Sequence, residues 1–190
     1  MRILVNRLLN SCYSVGDIMV WARTKLTIWD YVFEPIRHLK ITYSGKNADK
    51  FYKKINELVR TVFNVPEGYV QEKNYKWEKD KDTIRFDVQW EVNKILDQFT
   101  FIRVDIDLVG YAIKQGDSTE GKAAIRIAPR LVTEYPQDTV WQQNIFYEIF
   151  RRLWHTAIYH KKRMEYLDLA KDLVTSFEAE LKHFGEEQSQ

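Results

Sequence analysis

From Thr139 to Phe184 the chain contains neither proline nor glycine, and this run constrains the fold more than any other stretch. The two residues that most readily end a helix are missing from it. In its second half the apolar residues are Leu167, Ala170, Val174, Phe177, Leu181 and Phe184, at steps of three and four that fall on one helix face. In its first half Phe146, Ile149, Phe150, Leu153, Trp154 and Ala157 make a wider and bulkier stripe. So long an amphipathic helix is not stable alone in water and must lie on something. The spacing predicts one long helix, or two joined at a kink, with Asp138 or Thr139 as its cap.

The support is written upstream. Ile84, Phe86, Val88, Trp90 and Val92 alternate with Arg85, Asp87, Gln89, Glu91 and Asn93, and Ile102, Val104, Ile106 and Leu108 alternate with Arg103, Asp105 and Asp107. Such alternation gives one face to the core and one to water, as in an antiparallel sheet. Tyr69–Lys79 and the segment of Ala123, Ile125 and Ile127 add two strands, the second disturbed at Pro129. Gln115 to Gly121 reads as a polar loop. Trp29 to Tyr43 reads as one strand with a bulge or an edge position at Pro35. Phe51, Ile55, Leu58, Val59 and Val62 mark a short helix, capped by Asn47 or Asp49 and ended by Pro66-Glu67-Gly68. The expected fold is α+β, an antiparallel sheet of four or five strands packed against a short helix and a long C-terminal helix. Residues 29–190 form this domain, and residues 1–28 an N-terminal helical arm or extension.

Composition closes several options. A net charge of +2 commits the chain to neither nucleic acid nor acidic partners. One cysteine, Cys12, excludes an internal disulfide framework and a cysteine-based zinc site, and fits the cytoplasm. The stretch Met1–Leu26 is apolar, poor in acid and carries Arg2, Arg7, Arg23 and Lys25. Asn6 and Arg7 break the apolar core that a secretory signal needs, and no run is long enough for a transmembrane segment. A packing arm is the preferred assignment, a targeting or membrane-surface helix the alternative.

Candidate sites fall into three groups. Asp87, Glu91, Asp105 and Asp107 share one sheet face. Paired carboxylates can divide acid and base roles or hold a hard metal. Unlike charges across strands stabilise by a few tenths to about 1 kcal/mol, which favours Asp87 opposite Arg103 and Arg85 opposite Asp105, a neutralised surface. Tyr75 and Trp77 join the core face if the next turn has two central residues, Asp80-Lys81. A three-residue loop sets them beside Arg85, where rings can stack bases or sugars. The basic group Arg151, Arg152, His155, Lys161, Lys162 and Arg163, with no acid between Arg151 and Arg163, is a footprint for phosphate from nucleic acid or lipid heads. His38, His155, His160 and His183 have no metal-ligand spacing, and no phosphate loop, serine elbow or catalytic cysteine context occurs. No cofactor or metal is expected.

The segments FYKKINELV (Phe51 to Val59), EKNYKWEK (Glu72 to Lys79), the Trp90 strand, RVDIDLVGYAIK (Arg103 to Lys114) and GKAAIRIAPRLVTEY (Gly121 to Tyr135), with the C-terminal helix, resemble an uncharacterised protein family of small-genome archaea. The likeness runs from about Tyr43 to the end. It implies an archaeal cytoplasmic protein and brings neither an activity nor site residues.

The leading expectation is a non-catalytic binding or assembly protein that associates with a protein partner or with itself. It would act through the basic group and through Val174, Phe177, Leu181 and Phe184 on an overhanging helix end. A sheet wrapped around a long C-terminal helix is also similar to the helix-grip fold of START-type proteins, which implies a small apolar ligand held in a pocket. Phe86, Trp90, Trp141, Phe146, Phe150 and Trp154 would line it. Nucleic-acid binding, to RNA through Arg152, Lys162 and Arg163, is the third expectation.

Overall fold

The computed structural model describes residues 25–116, 118–136 and 145–189. Residues 1–24 of the expected N-terminal arm, the helix cap at Asp138 or Thr139 and Trp141 lie outside the described residues; the last four residues of that arm, 25–28, are not helical but open the first strand. The elements are β1 (Lys25–Tyr31), β2 (Leu39–Lys46), α1 (Phe51–Thr61), β3 (Val70–Asp80), β4 (Thr83–Ile95), β5 (Thr100–Gln115), β6 (Ser118–Pro136), α2 (Ile145–Trp154) and α3 (His160–Ser189). A single π turn, His155–Tyr159, joins α2 to α3. The strands form one antiparallel sheet in the order β1-β6-β5-β4-β3, with β2 also paired to β6. The fold is therefore α+β, with an antiparallel sheet, a short helix and a long C-terminal helix, as expected.

Several local expectations are corrected. Trp29–Tyr43 is not one strand. β1 and β2 lie end to end along β6, separated by a loop that contains a cis Glu34–Pro35 peptide. Pro129 does not end its strand either. Its carbonyl accepts a hydrogen bond from the Val32 amide at 3.3 Å, so its missing N–H faces the gap between β1 and β2, where no ladder bond is lost. The polar loop at Gln115–Gly121 shrinks to a tight turn with Gly116 at φ 62, and both strands run on through it. Neither Asn47 nor Asp49 caps a helix through its side chain. Asn47 instead takes a left-handed conformation, φ 58, and its amide reaches Gln188 at 2.9 Å.

The register between β4 and β5 also differs. Trp90 faces Ile106, Val88 faces Leu108 and Glu91 faces Asp105, so neither Asp87 with Arg103 nor Arg85 with Asp105 is a pair. Apolar burial is served equally by any shift of two, and the charged face did not decide. Like charges opposite one another are tolerated because cations reach in from both sides. Lys73 and Arg103 pair with Glu91 at 3.4 and 3.3 Å, and Arg130 pairs with Asp105.

The inner face of the sheet carries the core. Phe86, Val88, Trp90, Val92, Ile102, Val104, Ile106, Leu108, Ile125, Ile127 and Leu131 are all at most 2% exposed. Onto them pack Phe51, Ile55, Leu58 and Val59 of α1 and Ala170, Val174, Phe177 and Leu181 of α3, each at most 4% exposed. Phe177 meets Phe63 at 5.2 Å between ring centroids, and Phe184 meets Phe51 edge-on at 5.1 Å. Val174, Phe177, Leu181 and the half-buried Phe184 are thus intramolecular core, not an oligomer interface. β5 and β6 are long, at 16 and 19 residues, so α3 has a surface to lie on and does not overhang.

Candidate functional site

The inner face of the sheet changes character at one end. Beyond Ile102 and Leu131 the next paired inner positions are Thr100 and Thr133, with Asp30 beside them on β1. The helix above changes character at the same place. Below it, α3 presents its apolar stripe to the sheet. Above it, the residues turned inward are Arg151, His155, Tyr159 and Arg163, at steps of four. Four residues per turn is wider than the 3.6 of an α-helix, and the π turn supplies the extra width.

A directed chain of hydrogen bonds fills this junction. Arg163, 3% exposed, donates from Nε and Nη2 to Asp30 at 3.2 and 2.8 Å and from Nη1 to the Thr133 hydroxyl. The Tyr159 hydroxyl donates to Asp97 Oδ2 at 2.8 Å. Its single proton is then used, so the Thr100 hydroxyl donates to Tyr159 and Thr133 donates to Thr100 at 3.0 Å. Asp97 also accepts from Tyr166 at 3.0 Å and from the amides of Phe99 and Thr100, both at 2.8 Å. Burial pushes the Asp97 carboxyl up, but these amide and hydroxyl donors outweigh it and hold the group below its ordinary value. Burial also raises the Tyr159 phenol, reinforced by Asp97, so it remains protonated. His155 lies 2.9 Å from the Tyr135 hydroxyl. Its burial, with Arg163 nearby, lowers its pKa and keeps the imidazole neutral at pH 7. Arg151 is 5% exposed, with its guanidinium over the Tyr135 ring.

The outward side of the same helix is the inverse. Ile149, Phe150, Leu153 and Trp154 are 53, 68, 63 and 41% exposed, and Phe146 is 72% exposed. The line Ile149, Leu153, Ala157, Lys161 runs at steps of four, exposed throughout. A helix normally buries its apolar face; among the described side chains of α2 the buried one is Arg151 and the apolar ones are exposed.

The predicted basic group is therefore divided. Arg151 and Arg163 are buried against the sheet and His155 is half-buried, so none of these three offers a phosphate contact. Arg152, Lys161 and Lys162 are exposed, Lys162 within 3.4 Å of Asp97. The predicted pocket lining is divided as well. Phe86 and Trp90 are core, Trp90 donating to Asn56 and Glu72 at 3.1 and 3.2 Å, while Phe146 and Phe150 face outward and Trp154 sits at the flank, lining a cleft of about 270 Å³ with Asp97, Phe99 and Tyr159. A groove of about 640 Å³ opens on the outer face of the sheet, between Lys76, Arg85, Asp87, Val109, Tyr111 and Ile113, away from the helices that a helix-grip pocket would use.

The four carboxylates stay on that outer face, paired with Lys73, Arg103, Arg126 and Arg130 where contacts form; Arg85 plays no such part. Burial raises Glu91, but Asn93, Arg103 and Lys73 prevail and its pKa falls. Tyr75 and Trp77 take the core face, as the two-residue turn requires, although its central residues are Lys81 and Asp82. Trp77 stacks on Phe86 at 5.4 Å. Among the described residues no group of three His, Cys, Asp or Glu could hold a metal ion.

No family model matches the chain, and no curated protein does. Among solved structures, a delta-endotoxin is similar over 60% of this chain and 63% of its own, at 6% identity and TM-score 0.29. An uncharacterized protein from Rhizobium leguminosarum is similar over 86% of this chain and 99% of its own, at 10% identity and TM-score 0.23. The chain thus spans 63% of the delta-endotoxin it matches. Likenesses this low bring neither a fold nor a function across. No helix among the described residues is long and apolar enough to cross a membrane.

Asp30, Asp97, Thr100 and Thr133 were not singled out by the sequence, which placed Tyr159 only on the helix face of the basic group. The available signal was the spacing of Arg151, His155, Tyr159 and Arg163, which marks a polar line where an inward apolar stripe belongs.

Proposed function

We propose that this chain is a non-catalytic binding protein that docks on the surface of a lipid bilayer through the outward face of α2. The observation that carries this is the inversion of the helix. Ile149, Phe150 and Leu153 face away from the sheet, with Trp154 at their flank, while the opposite side is anchored by Arg151 and the His155–Arg163 network. A helix with Phe, Trp and Leu on one side and polar groups on the other suits the plane between headgroups and acyl chains. A second copy is a poorer occupant. The ten residues of α2 span about 15 Å, and a strip that long and roughly 10 Å wide falls well short of the ~800 Å² per partner of a stable interface. RNA binding loses two of its three arginine and lysine contacts to burial or ion pairing, and the carrier reading loses its common pocket.

Flotation of the full chain with lipid vesicles tests the proposal. The wild type is expected to float with vesicles, and Phe150→Ser/Leu153→Ser to stay with the unbound fraction. A wild type that floats with no vesicle composition would sink it.

A further inference from the structure

Resting on that membrane-docking assignment, we infer that the bilayer this chain takes is anionic, with Arg152 and Lys161 as its contacts to the headgroup phosphates. Four apolar side chains entering an interface part-way give weak, reversible attachment, and stable attachment of this kind needs a second attraction. The charges that could supply it are placed where they would act. Lys161 ends the exposed line Ile149, Leu153, Ala157, one turn beyond the last apolar position, and Arg152 is exposed next to Leu153. From Ile149 to Arg163 the sequence holds no Asp or Glu, so every charged residue of that stretch is basic. The remaining cations of the stretch are engaged elsewhere. Arg163 holds Asp30 and Thr133, Arg151 is buried over Tyr135, and Lys162 is drawn to Asp97 and the Tyr166 ring. Arg152 and Lys161 are exposed, and so is His160 beside them.

In a two-fold dimer through α2, Arg152 and Lys161 would be brought toward their own copies, which disfavours a second copy and favours a negatively charged surface. Each basic side chain near an anionic leaflet strengthens binding about fivefold, and salt screens the effect.

The test is co-sedimentation of the full chain with vesicles of phosphatidylcholine alone and of phosphatidylcholine mixed with phosphatidylglycerol, at low and high salt. The expected result is tighter binding to the mixed vesicles, lost at high salt, and weakened on the order of tenfold to thirtyfold in Arg152→Gln/Lys161→Gln with unchanged circular dichroism. Equal binding to both compositions, or a double variant that binds the mixed vesicles like wild type, overturns the inference and leaves docking through α2 standing. Binding to neither composition overturns both. A native mass spectrum that shows a dimer abolished by Phe150→Ser/Leu153→Ser would then make a second copy the occupant.

Discussion

Arg163 and Asp30 join the last helix to the first described strand, with Nε and Nη2 of one guanidinium converging on a single carboxylate oxygen at 3.2 and 2.8 Å. The pair lies where α3 stops burying apolar residues and the helix begins to bury polar ones. Beyond it toward α2 the described contacts are polar ones and the packed rings of Tyr135, His155 and Tyr159.

Arg163→Met should therefore destabilise the fold by about 2–3 kcal/mol, somewhat under the range for a fully buried pair, because the Asp30 side chain keeps 35% of its exposure. Arg163→Lys should recover little, since a single ammonium cannot serve Asp30 and Thr133 together. Urea denaturation of the two variants measures both effects.

Asp97 should appear in the pH dependence of stability. Its pKa in the folded chain is depressed below the ordinary 3.8, so its contribution is complete above that value and is lost as the pH falls through the lower, folded pKa. Asp97→Asn should flatten the acid limb of an unfolding free energy measured against pH, while the wild type keeps a steeper fall.

Phe177→Ala and Leu181→Ala should each cost about 3–4 kcal/mol, because both side chains are fully buried and leave cavities. Chemical denaturation should show this loss with no change in the mass of the folded species by light scattering.

Phe150→Ser and Leu153→Ser should change stability by less than about 0.5 kcal/mol, since these positions are 68 and 63% exposed. A thermal melt indistinguishable from wild type would check it, and would also show that lost vesicle binding is not lost folding.

Gly110→Ala should destabilise by about 1–3 kcal/mol through overpacking. A methyl group there would meet the Phe86 ring at 2.7 Å and, closer still, the carbonyl of Lys122. The ring can turn, but the carbonyl belongs to β6 and cannot. A drop in melting temperature without loss of the antiparallel-sheet signal in circular dichroism is the expected signature.

The sheet was legible in the sequence because alternation has a period of two and survives any even shift. For the same reason its register was not. Ile102, Val104, Ile106 and Leu108 can face Val88 and Trp90 in several ways, and Lys73 and Arg130, from the neighbouring strands, are what make Glu91 opposite Asp105 tolerable. The stripe from Leu167 to Phe184 was read correctly as one helix face, and wrongly as a free one, since the lengths of β5 and β6 were underestimated at Gln115–Gly121 and Pro129. At the junction the pattern misled outright. Phe146, Ile149, Phe150 and Leu153 have the spacing of a buried face, and spacing alone does not tell which side of a helix meets the protein. Only the partners of Arg163 and Tyr159, distant in sequence, decide it.

The end-to-end placement of β1 and β2 along β6 has a consequence for how this chain meets others. A sheet edge is a template on which a foreign strand can grow. One edge offers seven residues, a looped interruption around Pro35, and then eight more. The opposite edge, β3, breaks step between Glu72 and Asn74 and carries exposed Lys73, Glu78 and Lys79. An incoming strand meets a break after seven or eight residues on one side and at Glu72/Asn74 on the other. Neither margin offers a long, continuous ladder, so self-templated growth of the sheet is limited to short stretches.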